Sequence, residues 1–187
     1  IKIISPNKCQ TELIINTLNK FTSKESISSF LNPCFKGYNI GLVSDAGCPG
    51  IADPGAELIY NAHLLDLKVI PLVGPSSILL ALMASGLNGQ NFKFNGYLPI
   101  EKNDRKNKIK FLEKQSYNTT QIFMETPYRN GKLIIDLLKF LKPTTKLCIA
   151  TDLTLNSELV KTQTIKQWKN TRENYDKRPS IFLIQSN

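Results

Sequence analysis

The residues best suited to chemistry lie in one glycine-rich stretch, Gly41 to Gly55, with the sequence GLVSDAGCPGIADPG. An apolar run over 38–43 leads directly into this stretch, as when a strand ends at a ligand site. The glycines permit positive φ angles and a close approach of the backbone to a ligand. Asp45 and Asp53 supply its only charges. The pattern predicts a strand-end loop that binds a small organic molecule; an elaborate connection without a ligand is the alternative.

A second junction of the same kind lies at residues 74–77, GPSS, after an apolar run over 68–73. Ser76 or Ser77 is expected to cap a helix over 78–85 and to present hydroxyl and backbone N–H groups to a ligand. A strand–helix–strand–helix order implies parallel strands joined by right-handed crossovers. Both junctions are therefore expected at the carboxyl ends of their strands, where open α/β sheets bind ligands.

Three carboxylates are predicted to lie nearest a strand end and are the candidates for a general base: Asp53, Glu125 and Asp152. Each also has a structural alternative. Asp53 is placed to cap a helix that opens with Pro54, and Asp152 is placed in a turn. Glu125 lies four residues before Arg129, the spacing of a helical ion pair. We assign a catalytic role to Glu125 and Arg129, with Arg129 holding a phosphate.

The cysteines do not indicate a metal site. Cys9, Cys34, Cys48 and Cys148 form no C-x-x-C pair, and the single histidine, His63, lies in a helical pattern. Cys48 is interpreted as a small filler of the glycine-rich loop. Scattered cysteines without a visible export signal are typical of reduced thiols in a cytoplasmic protein. No apolar run of 18 residues is present, so no membrane span is predicted.

The charge balance favours a polyanionic partner. The sequence carries 24 Lys and Arg against 15 Asp and Glu, a net charge of +9, which suits RNA. A lysine-rich composition can also reflect a biased genome. The basic residues of a helix predicted over 104–115 form either a phosphate-binding face or a solvated helix face. They are Arg105, Lys106, Lys108, Lys110 and Lys114.

The order of predicted elements indicates two α/β domains. A turn-rich segment over 88–99 places the boundary near residue 90, which gives an N-terminal domain over 1–90 and a C-terminal domain over 91–187. The N-terminal sheet is expected to be mostly parallel. The short turn between two C-terminal strands makes them antiparallel, so that sheet is expected to be mixed. The strands predicted in the C-terminal domain are 92–94, 120–124, 146–151, 159–164 and 181–184, and its other helices are 127–141 and 166–173.

The sequence lacks the marks of several common enzyme classes, having no G-x-G-x-x-G, Walker loop, H-E-x-x-H or G-x-S-x-G. Four of its segments together resemble the ribosomal RNA small subunit methyltransferase I family, part of the tetrapyrrole methylase superfamily. In chain order they are SDAGCPGIADPG (44–55), PLVGPSSILLALMASGL (71–87), FNGYLP (94–99) and FMETPYR (123–129).

The resemblance implies an S-adenosylmethionine-dependent enzyme that methylates a ribose 2′-hydroxyl of a cytidine in 16S rRNA. It implies a tetrapyrrole methylase-like fold of two α/β domains with the cofactor in the cleft between them, and a cytoplasmic homodimer that binds the small ribosomal subunit. The family's first strand and its glycine-rich loop are not supplied by Ile1 to Gln10, so either the sequence is truncated or the enzyme has lost part of its site.

The resemblance also implies which residues contact the cofactor. From the first domain they are Asp45, Ala46, Gly47 and Cys48, then Ile51 and Ala52, with Ser76 and Ser77 at the methionine end. From the second domain, Met124 and the Pro179-Ser180 turn pack around the adenine. Two other functions remain open: a methyltransferase acting on another acceptor such as a tetrapyrrole, and a non-catalytic RNA-binding relative.

Overall fold

The computed structural model describes residues 7, 9, 11, 13–45 and 47–186. Ala46, one of the predicted cofactor contacts, lies outside the described residues. Contacts group the chain into a first unit, Ile1–Gly74, and a second unit, Pro75–Asn187. The domain boundary near residue 90 stays a prediction, since the helix before it packs on the sheet that follows it.

The helices and strands of the described residues alternate along most of the second unit. The α-helices are α1 (Lys24–Ser29), α2 (Ala56–Leu64), α3 (Ser77–Ser85), α4 (Lys102–Gln115), α5 (Asn130–Phe140) and α6 (Ile165–Trp168). The strands are β1 (Phe92–Tyr97), β2 (Thr120–Met124), β3 (Lys146–Thr151), β4 (Leu159–Thr164) and β5 (Ser180–Gln185). Short 3-10 helices cover Asn32–Lys36 and Pro127–Arg129.

The first unit packs its helices α1 and α2 together through a small apolar cluster of Ile27, Leu31, Leu58 and Ala62. Ser23 caps α1, because its hydroxyl accepts a hydrogen bond from the Ser26 N–H at 3.2 Å.

The strands expected over 38–43 and 68–73 are not strands in the structure, and the described part of the first unit contains no strand. A strand exists only where a neighbouring strand completes its ladder of hydrogen bonds. The side chains of both segments are correspondingly exposed: Val43 by 79%, Leu72 by 88% and Val73 by 107% of their reference surface. The mostly parallel N-terminal sheet is therefore not confirmed.

The second unit is built on a five-stranded sheet in the order β1-β2-β5-β3-β4. β1 and β2 are parallel, whereas β5 is antiparallel to both β2 and β3, and β4 is antiparallel to β3. The predicted mixed sheet is confirmed. The last strand of the chain inserts between β2 and β3, so three strands run in one direction and two in the other.

Helices cover both faces of this sheet, which accounts for its buried, apolar strands. On one face, α4 and α5 contribute to the larger core, which includes Phe123 and Phe182 with ring centroids 6.0 Å apart. On the other face, α3 packs Ile78, Ala81 and Leu82 against the sheet.

Hydrogen bonds at the end of α3 fix its direction along the sheet. The Thr162 hydroxyl donates to the Ser85 carbonyl at 2.7 Å, and the Asn88 N–H donates to the side chain of Gln185 at 3.0 Å. Gln185 ends β5, so α3 runs in the same direction as β5. Its first residue, Ser77, therefore points to the edge of the sheet where β5 begins.

Candidate functional site

The carboxyl ends of three strands meet at one edge of the sheet, which we call the site edge. β1 ends at Tyr97, which is level with Met124 at the end of β2. β3 ends at Thr151, which pairs with Ser180 at the start of β5. Chain reversals follow each of these ends, so several loops converge there. Open α/β sheets bind their ligands at such an edge.

Asn130 lies at the centre of the site edge and is completely buried. Its side-chain NH2 donates to the Arg178 carbonyl at 2.6 Å and lies 3.3 Å from both the Tyr175 carbonyl and the Ser180 hydroxyl. The Ser180 hydroxyl is in turn 2.9 Å from the Thr151 hydroxyl. The first residue of α5 thus holds the turn that leads into β5.

The carbonyl oxygen of the Asn130 side chain is buried without a hydrogen-bond partner among the described residues. Such an atom costs about 1–3 kcal/mol where no donor reaches it. Rotating the amide does not relieve the cost, because the NH2 faces two backbone carbonyls. Buried polar atoms without a partner are few in native proteins, so this oxygen marks a locally costly arrangement at the site edge.

Asp152, one of the three candidate bases, is committed to the loop structure beside the site edge. Its Oδ2 accepts from the Ser157 hydroxyl at 2.8 Å and from Arg178 Nε at 2.9 Å. Burial acts to raise the pKa of Asp152, but the Ser157 hydrogen bond and the Arg178 guanidinium together hold that pKa below its usual value. A stabilised carboxylate is a poor base, so Asp152 fits a structural role.

Glu125 and Arg129 form the ion pair that their spacing allows. Glu125 Oε1 accepts from the Thr126 N–H at 2.7 Å and from Arg129 Nε and Nη2 at 3.0 and 2.5 Å. The Glu125 side chain is 2% exposed, whereas that of Arg129 is 34% exposed. The carboxylate therefore orients a guanidinium whose outer part is open to a ligand.

The start of α3 offers a place for an anion. Ser76 occupies the N-cap position, as the sequence predicts, but its hydroxyl makes no capping hydrogen bond. The first-turn N–H groups of a helix are directed outward and carry a partial positive charge. Ser76 is half-buried and Ser77 is exposed, so the two predicted residues lie beside this end of the helix.

The glycine-rich loop of the first unit has the backbone that its composition predicts. Gly47 and Gly50 have φ angles of +82° and +76°, and Ala52 has a φ of +56°. A positive φ is uncommon for a residue with a Cβ and costs about 1–2 kcal/mol. Such strain is concentrated at ligand-binding loops. Of the predicted contacts here, Asp45, Gly47, Ile51 and Ala52 are exposed and Cys48 is half-buried.

The end of this loop corrects one prediction. The N-cap of α2 is Gly55, not Asp53. Gly55 has a φ of +142°, and a Cβ there would lie 2.8 Å from Leu42 Cδ2. The loop folds back on the segment that enters it, and the positive φ favours glycine at the position where the helix begins.

The structure brings together four predicted residues of the second unit. Met124 ends β2 and Glu125 follows it, while Pro179 and Ser180 lie at the start of β5. Sequence reasoning missed Asn130, Thr151 and Arg178, which hold this edge together. The one signal for Asn130 was its place as a polar residue, before glycine, at the start of an amphipathic helix.

The described residues also bear on metal binding and on membrane insertion. Within the described ranges, no three His, Cys, Asp or Glu side chains are grouped so as to hold a metal ion. No helix of those ranges has the length and apolar character needed to cross a membrane.

Sequence comparison finds close relatives of one kind. The chain is 35% identical over 175 residues to a ribosomal RNA small subunit methyltransferase I of Buchnera aphidicola, covering 91% of this chain and 61% of that protein. It is 32% identical to the protein of the same name from Vibrio cholerae, covering 89% of this chain and 58% of that protein. The chain thus spans about three fifths of the length of these relatives. No protein-family profile matches it.

Structural comparison finds the same fold in distant methyltransferases. The crystal structure of the methyltransferase CobJ aligns with a TM-score of 0.64 at 14% identity, covering 98% of this chain and 79% of that one. The cobalt precorrin-4 methyltransferase CbiF aligns with a TM-score of 0.56 at 14% identity, covering 89% and 72%. At this identity the likeness concerns the fold alone, and it confirms the tetrapyrrole methylase-like fold.

Proposed function

Because the comparisons confirm the resemblance to the ribosomal RNA small subunit methyltransferase I family, we propose that this protein is an S-adenosylmethionine-dependent methyltransferase acting on RNA of the small ribosomal subunit. The observation that supports this most is the likeness in sequence over nine tenths of the chain to proteins of that name. The matched fold is that of other methyltransferases.

The described residues fit the cofactor's chemistry, which combines a carboxylate, an ammonium, a cationic sulfonium and a flat adenine. The uncapped start of α3 at Ser76 and Ser77 suits the carboxylate. The exposed carboxylate of Asp45 suits a positive charge, and the open backbone at Gly47 permits close approach. We assign these residues, together with Ala46, Cys48, Ile51 and Ala52, to cofactor binding.

The site edge fits the adenine end. Half-buried Met124 and exposed Pro179 supply apolar surface for a flat ring. The side-chain NH2 of Asn130 lies 3.3 Å from the Ser180 hydroxyl and holds that residue at the site edge. We assign Met124, Pro179 and Ser180 to the adenine on these grounds.

S-adenosylmethionine, when bound, would supply a methyl group to which an acceptor oxygen bonds as the methyl–sulfur bond breaks, with S-adenosylhomocysteine as the leaving group and the hydroxyl proton passing to solvent. The contribution of this chain is to align the acceptor with that methyl group and to exclude water. In our proposal Arg129 holds a phosphate of the acceptor RNA, and Glu125 fixes the orientation of Arg129 rather than taking a proton. The bound acceptor is therefore placed by a guanidinium that is already held in position.

Two finer features complete the proposal. The protein is a cytoplasmic homodimer, as in the family that it resembles. It consists of two α/β domains.

Calorimetric titration with S-adenosylmethionine and S-adenosylhomocysteine tests the proposal. Asp45→Ala and Ser76→Ala are expected to weaken binding of both compounds at least tenfold. Glu57→Ala, an exposed acid in α2, and Ser29→Ala, an exposed hydroxyl in α1, are matched controls that should bind as wild type does. A folded full-length protein that binds neither compound would contradict the enzyme and leave a non-catalytic RNA-binding role.

A further inference from the structure

The basic residues of helix α4 form two groups, one buried and one exposed. Arg105 is 3% exposed; its Nε donates to Asp136 Oδ2 at 2.8 Å, and its Nη1 donates to the Pro99 and Ile100 carbonyls. This arginine anchors the helix to α5 and to the segment before it. It is not available to a partner, although the sequence alone groups it with the lysines.

Four other basic residues face outward at a constant spacing. We call Lys102, Lys106, Lys110 and Lys114 the lysine row; each is exposed, and each follows the last by four residues. At a rise of 1.5 Å per residue, the ammonium-bearing positions are about 6 Å apart and the row is about 18 Å long. A row of this length spans on the order of five phosphates of one strand.

The lysine row is not neutralised by acids of its own helix. Glu113 is buried, where it accepts from the Lys142 N–H at 2.7 Å and from the Thr145 hydroxyl at 2.5 Å. Asp104 is spaced to face Lys108, which lies off the row. Within the described ranges, no lysine of the row forms an ion pair.

Helix α5 extends the same positive surface. The ammonium groups of Lys106 and Lys139 both lie 5.8 Å from the centroid of the Phe140 ring, so lysines of two helices converge on one aromatic side chain. Phe111, 52% exposed, lies beside Lys108 on α4. Phe140 is half-buried, so its ring offers the lysines a cation–π contact, and Phe111 is the exposed ring of this surface. Lysines beside aromatic rings are typical of surfaces that bind nucleic acids.

Like charges four residues apart destabilise a helix, so the lysine row lowers the stability of α4 where alternating signs would raise it. An anionic partner would remove this repulsion. We propose that the lysine row, with Lys139, is the surface that binds the phosphates of the RNA acceptor. This inference rests on the proposed function and adds to it the place where the RNA backbone lies.

The test compares two variants of equal charge in the full protein. One changes the lysine row to glutamine at all four positions. The control changes four exposed lysines elsewhere, Lys24, Lys36, Lys166 and Lys169, to glutamine. Binding of 16S rRNA and of a short single-stranded RNA is measured across a range of salt, and cofactor binding is measured by calorimetry on each variant.

Loss of four phosphate contacts should make the slope of log K against log salt shallower by about 3. The affinity advantage of wild type over the lysine-row variant should then fall about 50-fold between about 50 and 200 mM salt. The control variant should keep the wild-type slope. Both variants should bind the cofactor as wild type does, since neither set of lysines lies in the assigned cofactor site.

An unchanged slope in the lysine-row variant, or an equal change in the control, would overturn the inference while leaving a working methyltransferase in place. Wild-type protein that binds the cofactor and anionic vesicles but no RNA would overturn it too, since the row would then serve a membrane surface. A wild-type protein that does not bind the cofactor would contradict the proposed function, and not the placement of RNA on the lysine row.

Discussion

Replacing Asn130 with alanine tests whether one buried amide holds the turn at the site edge. The side chain has two N–H hydrogens for three acceptors, of which the closest is the Arg178 carbonyl at 2.6 Å. Two buried hydrogen bonds are lost, at about 1–1.5 kcal/mol each. Removal of the orphaned oxygen returns part of that free energy. The free energy of unfolding should therefore fall by about 2 kcal/mol.

Urea denaturation of Asn130→Ala measures this change, and the melting temperature should fall by about 4–8 °C. Asn107→Ala is the matched control, because Asn107 is exposed on α4 and its loss should change stability by less than about 0.5 kcal/mol. Cofactor affinity should fall as well in Asn130→Ala, since Ser180 loses its support. An Asn130→Ala protein as stable as the control would refute the role of this amide in holding the turn.

Two other predictions concern the second unit. Arg105→Met leaves Asp136 buried and unpaired, so the free energy of unfolding measured in urea should fall by about 3–5 kcal/mol. Adding Asp136→Leu should restore most of this stability, and a double variant without recovery would argue against a buried ion pair. Burial raises the pKa of the Cys148 thiol from 9.0 to about 11. The stabilisation from keeping this thiol neutral is fully present below pH 9, and the free energy of unfolding should fall by about 2–3 kcal/mol as the pH rises from 9 to 11. Cys148→Ala should lose less stability over that interval, and an unchanged pH profile would contradict the assignment.

The second-unit strands were predictable because their segments, bounded by turn residues, also find neighbouring strands to pair with, which 38–43 and 68–73 do not. Thr120–Met124, Lys146–Thr151 and Leu159–Thr164 begin and end where the sequence places them. The order of these strands was not predictable. Ser180–Gln185 pairs with both β2 and β3, and such a pairing depends on side chains far apart in the chain.

The helices show where local signals are insufficient. A helix was expected over 166–173, and α6 ends at Trp168. Thr164 and Gln167 form a capping box that starts α6, a local signal, but its end is set by the chain that turns toward α5. A Cβ at Gly131 of α5 would lie 2.3 Å from Asp176 Oδ1, so the two segments touch.

The candidate site was predictable in part, through loops whose residues are unusual in themselves. The positive φ angles of Gly47 and Gly50 follow from their residue type. The role of Arg178 does not, because it pairs with Asp152 from 26 residues away in sequence. A buried polar network is specified by tertiary contacts, and no spacing along the chain reveals it.

Methyl transfer from labelled S-adenosylmethionine to small ribosomal subunits is the direct assay of the proposed activity. The protein, supplied with S-adenosylmethionine, should label 16S rRNA, and the label should resist alkaline cleavage because it lies on a ribose 2′-oxygen. Arg129→Ala should reduce labelling much more than it reduces cofactor binding. A folded protein that binds the cofactor but labels a tetrapyrrole and no RNA would rule out an RNA methyltransferase.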